Sequence, residues 1–206
     1  MGRIGIMGGT FDPIHNGHLT LGRQAYKEYD LDEVWFMPSG QPPHKRDHRI
    51  TDSRFRCEMV QLALAAEPNL VFSDFEVVTM GYTYTANTLQ ALRQHYPEHQ
   101  FYFIIGADSL YQLEEWYHPE QVISPVNILA AGREYESAHC SIQEQIDYLN
   151  RKYDGSISRL HSPDVNISSS QLRQMAAEGQ DLSSYVPEAV SDYIRNYHLY
   201  EVIRDE

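Results

Sequence analysis

The chain has 206 residues, 42% hydrophobic and 22% charged, enough for one sizeable core and ordinary for a globular protein, which argues against disorder or a fibrous design. Sixteen Lys and Arg against 29 Asp and Glu leave a formal charge of -13, which opposes a nucleic-acid partner held by long backbone contacts but not a small anion held by a local nest of N–H groups. The two cysteines, Cys57 and Cys140, cannot build a disulfide framework. No secretory signal is evident at the start, and no stretch approaches the ~20 apolar residues of a membrane helix, so one cytoplasmic domain over residues 1–206 is expected.

Taken in chain order, a short apolar strand over Arg3–Met7 leads into Gly8-Gly9-Thr10-Phe11-Asp12-Pro13 and a helix over His15–Tyr29. A second strand covers Glu33–Pro38. The polar interruption from Ser39 to Asp52, stiffened by Pro42 and Pro43, reads as a functional loop rather than a linker. A helix over Ser53–Ala66, a strand over Leu70–Phe75, a helix over Thr85–Tyr96 and a strand over Phe101–Gly106 follow. Strands over Val126–Ala131 and Ser156–His161 flank a helix over Ile142–Tyr153, and helices over Ser169–Glu178 and Pro187–Asn196 form a C-terminal helical portion from about residue 163. Ser141-x-x-Glu144 and Ser168-x-x-Gln171 match the capping box, and Pro187 suits a first helical position. Strands alternating with helices predict a doubly wound parallel α/β sheet with helices on both faces.

In such sheets ligands bind beyond the carboxyl ends of the strands, which is where the segment after Met7 lies. Gly8 and Gly9 let backbone N–H groups approach a bulky anion, and the start of the next helix adds unpaired donors. Neither G-x-G-x-x-G nor G-x-x-x-x-G-K-[ST] occurs, so dinucleotide redox binding and P-loop hydrolysis lose their warrants. His15 and His18, three residues apart, can present both imidazoles to one ligand, as neutral donors or partial cations facing phosphate oxygens. The alternative is that one caps the turn while the other packs. A zinc site would need a third ligand that no H-E-x-x-H or cysteine cluster supplies.

The run Gly5-Ile-Met-Gly-Gly-Thr-Phe-Asp-Pro-Ile-His15-Asn-Gly-His18 resembles the signature of the H-x-G-H nucleotidyltransferase superfamily, and closely that of bacterial nicotinate-nucleotide adenylyltransferases. Ile167-Ser168-Ser169-Ser170-Gln171-Leu172-Arg173 resembles the I-S-S-T-x-I-R motif of that family, with Ser170 for its threonine and Leu172 for its isoleucine. Pro42-Pro43-His44-Lys45, Tyr82-Thr83-Tyr84-Thr85, Gly106-Ala107-Asp108 and Trp116-Tyr117 also fall in register, so the resemblance covers most of the chain. Arg133-Glu134-Tyr135 departs from it, standing where relatives often carry R-P-G.

The resemblance implies a Rossmann-like fold and transfer of AMP from ATP to nicotinate mononucleotide, with magnesium riding on ATP and no protein metal cage. It implies catalytic roles for His15, His18, Lys45 and Arg173. The ATP-binding set is Gly8, Gly9, Thr10, Phe11, Gly106, Asp108, Ile167, Ser168, Ser169 and Ser170; the mononucleotide would meet Lys45, Thr85, Trp116, Tyr117 and Arg133. An oligomer is possible. Residue by residue, blander readings stand beside these. Lys45 with Arg46 and Arg49 suits a solvated basic loop, Trp116 a core anchor, Asp108 a helix N-cap, and Ser168 to Ser170 an ordinary cap. Rival acceptors are NMN and phosphopantetheine, although His15 stands where pantetheine-phosphate adenylyltransferases place threonine. A non-catalytic nucleotide sensor and a redox Rossmann enzyme are the other classes.

Overall fold

A computed structural model describes residues 1–40, 50–79, 83–132, 140–163 and 167–201. The chain order is β1 (Arg3–Gly9), α1 (Asn16–Glu28), β2 (Glu33–Pro38), α2 (Ser53–Leu64), β3 (Leu70–Phe72), α3 (Thr85–His95) and β4 (Gln100–Gly106). Then come α4 (Ala107–Gln112), a 3-10 turn (Leu113–Glu115), α5 (Pro119–Ile123), β5 (Asn127–Ala131), α6 (Ile142–Tyr153), β6 (Ser156–Leu160), α7 (Ser169–Ala177) and α8 (Glu188–Asn196).

All pairings are parallel and the strand order is β3-β2-β1-β4-β5-β6, the doubly wound arrangement expected from the sequence. Period-two side-chain alternation divides the core between the two faces. Phe101, Phe103 and Ile105 of β4 pack with Leu89 of α3, Leu110 of α4 and Ile146 of α6, whereas Tyr102 and Ile104 pack with Leu19 of α1, Met59 of α2 and Leu172 of α7. α1 lies unusually close to β2: a Cβ on Gly22 would sit 2.7 Å from the Phe36 ring, so only glycine allows the approach.

The two capping boxes form as expected, with Ser141 Oγ accepting from the Glu144 N–H at 3.2 Å and Ser168 Oγ from the Gln171 N–H at 3.3 Å. Several boundaries differ from expectation. β1 runs on through Gly8 and Gly9, which pair in register with Met37 and Pro38. α1 starts one residue late, with His15 as its N-cap, and α8 starts after Pro187, which is itself the N-cap. β3 ends at Phe72 because the chain turns there, the Ser73 Oγ accepting from the Phe75 N–H and the Thr79 hydroxyl donating to the Phe75 carbonyl. α4, of six residues, is the helix that the cap reading of Asp108 implies, whereas α5, of five residues, is too short to show a helical period in the sequence.

Candidate functional site

The site begins where two central strands part. β1 and β4 stay paired only from Arg3–Gln100 to Ile6–Phe103, while β1 remains paired with β2 as far as Gly9–Pro38. The chain leaves β1 toward β2 and β3 on one side and returns through β4, β5 and β6 on the other, so this is the switch point of the sheet. A cleft of about 780 Å³ opens there, lined by the ends of β1 and β4, the first turns of α3 and the segment 109–117.

Gly8, Gly9 and Thr10 form one edge of the cleft. Both glycines are strand residues, and at Gly9 space is tight: a Cβ there would lie 3.1 Å from the Phe11 ring. Phe11 takes φ +50 and drives its ring into the core, 2% exposed, edge-on to His18 at 5.0 Å between centroids. The sequence placed Phe11 among ligand contacts; its side chain packs inward against His18.

His15 and His18 stack with ring centroids 3.7 Å apart. The His18 Nδ1 accepts the His15 backbone N–H at 3.2 Å, which leaves the His18 proton on Nε2. Thus His18 does cap its turn, as the blander reading held, and the cap fixes its tautomer. Burial, reinforced by the neighbouring His15 ring, holds the His18 imidazole well below 6.5. Burial pushes His15 down to about 4, and its Nδ1 is buried with no hydrogen-bond partner among the described residues. Both rings are therefore neutral at pH 7.

This has a thermodynamic signature. The unfolded chain protonates His15 below about 6.5 while the folded chain resists until about 4, so His15 stabilises fully above 6.5 and loses that contribution as pH falls through the window. Going from pH 7 to pH 5 should cost about 2 kcal/mol through this residue. Urea midpoints at both pH values should fall less in His15→Gln than in the parent; equal falls would contradict the assignment.

The second motif meets the first through hydrogen bonds. At the start of α7, the Ser169 hydroxyl donates to the Pro13 carbonyl at 2.9 Å and Arg173 Nη1 donates to the Asp12 carbonyl at 2.7 Å. Ser168 is occupied by its cap, Ser170 is exposed and Ile167 packs on the core. Gly106 and Asp108 lie exposed at the end of β4. The N-cap of α4 is Gly106, so Asp108 lies within the first turn and is not the cap.

On the cleft side, Trp116 packs at 6.3 Å edge-on to Phe103 and also lines the cleft. Tyr117, half exposed at 49%, lies against Tyr84 with ring centroids 4.4 Å apart. Thr85 opens α3 behind an N-cap, Tyr84, that makes no side-chain cap. Lys45 and Arg133, together with the 42–45 segment, lie outside the described residues.

Three participants were not singled out from sequence. Glu76 lines the cleft, accepts the Thr88 hydroxyl at 2.7 Å, and has its carboxyl pushed up by burial. Arg56, 2% exposed, donates to the carbonyls of Thr10, Ser39 and Thr51 at 2.7, 2.9 and 2.9 Å. Tyr200 donates to Asp12 Oδ1 at 2.8 Å. Among the described residues, no three His, Cys, Asp or Glu side chains group as a metal site, and no helix is long and apolar enough to cross a membrane.

A cytidylyltransferase-like family model matches residues 6–175. The probable nicotinate-nucleotide adenylyltransferase of Lachnoclostridium phytofermentans is 42% identical over 200 residues, 97% of this chain and 100% of the relative. Its counterpart in Neisseria meningitidis serogroup B is 40% identical over 202 residues, 98% of this chain and 100% of the relative. Among solved structures, a Plasmodium falciparum nicotinic acid mononucleotide adenylyltransferase complexed with NaAD superposes with a TM-score of 0.79 at 22% identity, covering 97% of this chain and 98% of that one. The fold is thus shared with that structure. The family match spans the histidine pair and Arg173 alike, and the relatives align end to end, so the chain belongs to the cytidylyltransferase-like family and, within it, to the nicotinate-nucleotide adenylyltransferases.

Proposed function

We propose that this protein transfers AMP from ATP to nicotinate mononucleotide, forming nicotinate adenine dinucleotide and pyrophosphate in NAD biosynthesis. A phosphate oxygen of the mononucleotide attacks the α-phosphorus of ATP, and the bond to the bridging oxygen breaks with its electron pair leaving on pyrophosphate. The nucleophile is already anionic, so alignment and charge stabilisation suffice without a general base. The observation that carries this reading is the shared edge Gly8 to Thr10. It lines the aromatic cleft and runs directly into the turn that α7 and the histidine pair hold.

In this proposal the backbone of Gly8 to Thr10 cradles phosphate, with Phe11 contributing through its backbone and Ile167 to Ser170 framing the triphosphate. His15 and His18 donate to the transferring and leaving phosphates, and Arg173 and Lys45 neutralise charge. Gly106 and Asp108 meet the adenosine side, Trp116 stacks on the pyridine, and Arg133 approaches the mononucleotide. Magnesium would enter with ATP and would supply charge neutralisation at the phosphates. The acid is favoured over the amide by the start of α3: its first-turn N–H groups at Thr85 border the cleft, their partial positive charge suits a carboxylate, and that turn carries no acidic residue. A cytoplasmic location belongs to the same proposal.

The test is the purified protein with MgATP and, in parallel, nicotinate mononucleotide, NMN and phosphopantetheine, following pyrophosphate release and the adenylylated product. Strong preference for the acid is expected. Turnover confined to another acceptor would displace the pyridine-acid assignment, and silence with all three would favour a nucleotide sensor. Trp116→Ala should raise the mononucleotide KM by about 5- to 160-fold, as stacking is worth roughly 1–3 kcal/mol per base, while leaving ATP KM alone. An unchanged mononucleotide KM would return Trp116 to a packing role.

A further inference from the structure

Asp12 is 4% exposed, and its polar atoms join three distant parts of the chain. Oδ1 accepts the Tyr200 hydroxyl at 2.8 Å, Oδ2 accepts the Thr51 N–H at 3.2 Å, and the carbonyl accepts Arg173 Nη1 at 2.7 Å. Tyr200 lies beyond α8, 188 residues from Asp12 in sequence. Burial and the Asp12 carboxylate raise its phenol above the ordinary value, so it remains a protonated donor. In the described bonds Arg173 touches the backbone of Asp12 and not its carboxylate. A guanidinium has five N–H donors, and one is used in the bonds described for Arg173.

A buried carboxylate short of a donor takes one from the nearest cation, and a guanidinium matches it bidentately. We propose that Tyr200 is a positioning residue for ATP: by satisfying Asp12 Oδ1 it keeps Arg173 from closing onto that carboxylate and leaves the guanidinium free for phosphate. This rests on the adenylyltransferase reading for the identity of the ligand. It differs from mere anchoring of the C-terminal arm, because a second tyrosine anchors the same arm elsewhere: Tyr193 of α8 donates to Glu58 of α2.

The variants are Tyr200→Phe, which removes one hydroxyl and keeps the ring, and Tyr193→Phe as its match. Calorimetric titration with a non-hydrolysable ATP analogue and magnesium reads the proposal without requiring turnover. Tyr200→Phe should weaken analogue binding about tenfold, and in turnover raise ATP KM with the mononucleotide KM within twofold of the parent. Tyr193→Phe should lower the unfolding midpoint and leave analogue binding within twofold. Equal binding losses in the two variants, or none in Tyr200→Phe, overturn the proposal. In Asp12→Asn/Tyr200→Phe the carboxylate that captures Arg173 is gone, so analogue binding should recover to within about threefold of the parent; binding weaker than in Tyr200→Phe alone would show a structural role instead. Failure of the parent to turn over nicotinate mononucleotide would count against the acceptor assignment, whereas the binding comparison decides Tyr200 separately.

Discussion

His18→Ala lowers turnover at saturating substrates by about 10²-fold or more, the scale lost with one preorganised donor to developing phosphate charge. The expectation follows from how the side chain is held. Its Nδ1 is committed to the His15 N–H, its face to the His15 ring, and its edge to Phe11, so three contacts within the protein fix the ring's orientation. The ring is neutral because burial and the adjacent imidazole oppose a proton. A neutral donor strengthens its bond as phosphate charge rises without first attracting bulk counterions, and activity should not collapse merely because pH passes 6.5 from below. His18→Asn keeps an amide that can both accept the His15 N–H and donate outward, so it should recover part of the loss. A folded His18→Ala enzyme with near-parent kcat would remove His18 from the mechanism.

How far the sequence reveals this site depends on whether the interaction is local. The capping boxes at Ser141 and Ser168 involve residues three apart and are readable as text. The glycines and histidines of residues 8–18 are readable for the same reason, although their geometry is not. Gly8 and Gly9 suggest a flexible loop, yet both complete β1, because hydrogen bonds to β2 outlast those to β4. Phe11 stands in the middle of a binding signature and points inward, a direction set by its φ of +50. Asp108 looks like a cap by residue type, but α4 begins at Ala107, directly after β4, so Gly106 takes that place. The stitching of Arg173 to Asp12, and of Tyr200 to the same residue, spans 161 and 188 positions, and no period or propensity encodes such a contact.

Arg56→Leu is expected to destabilise the fold by about 3 kcal/mol or more and to abolish most activity with it. The sequence Ser53-Arg54-Phe55-Arg56 gives no reason to separate its two arginines. The structure does: Arg54 is exposed and pairs with Glu58 one turn on, a bond worth little in water, whereas Arg56 is buried beneath the site. Its three donated bonds tie the signature turn at Thr10 to both described ends of the 39–52 loop, at Ser39 and Thr51. Burial lowers its affinity for the proton, but Asp12 nearby offsets this and the guanidinium stays charged. Leucine fills part of the volume and leaves three carbonyls without their donor, each costing roughly 1–3 kcal/mol where water cannot replace it. Lysine would restore charge but not the planar fork that reaches three oxygens at once, so Arg56→Lys should recover only a fraction of the loss. Urea unfolding at constant m distinguishes the cases. A midpoint for Arg56→Leu equivalent to less than about 1 kcal/mol of loss would mean that the loop ends are held by something other than this side chain. If stability falls as expected while added MgATP restores much of it, the same result identifies the ligand as a second tie across the turn, since binding to the folded state alone stabilises by mass action.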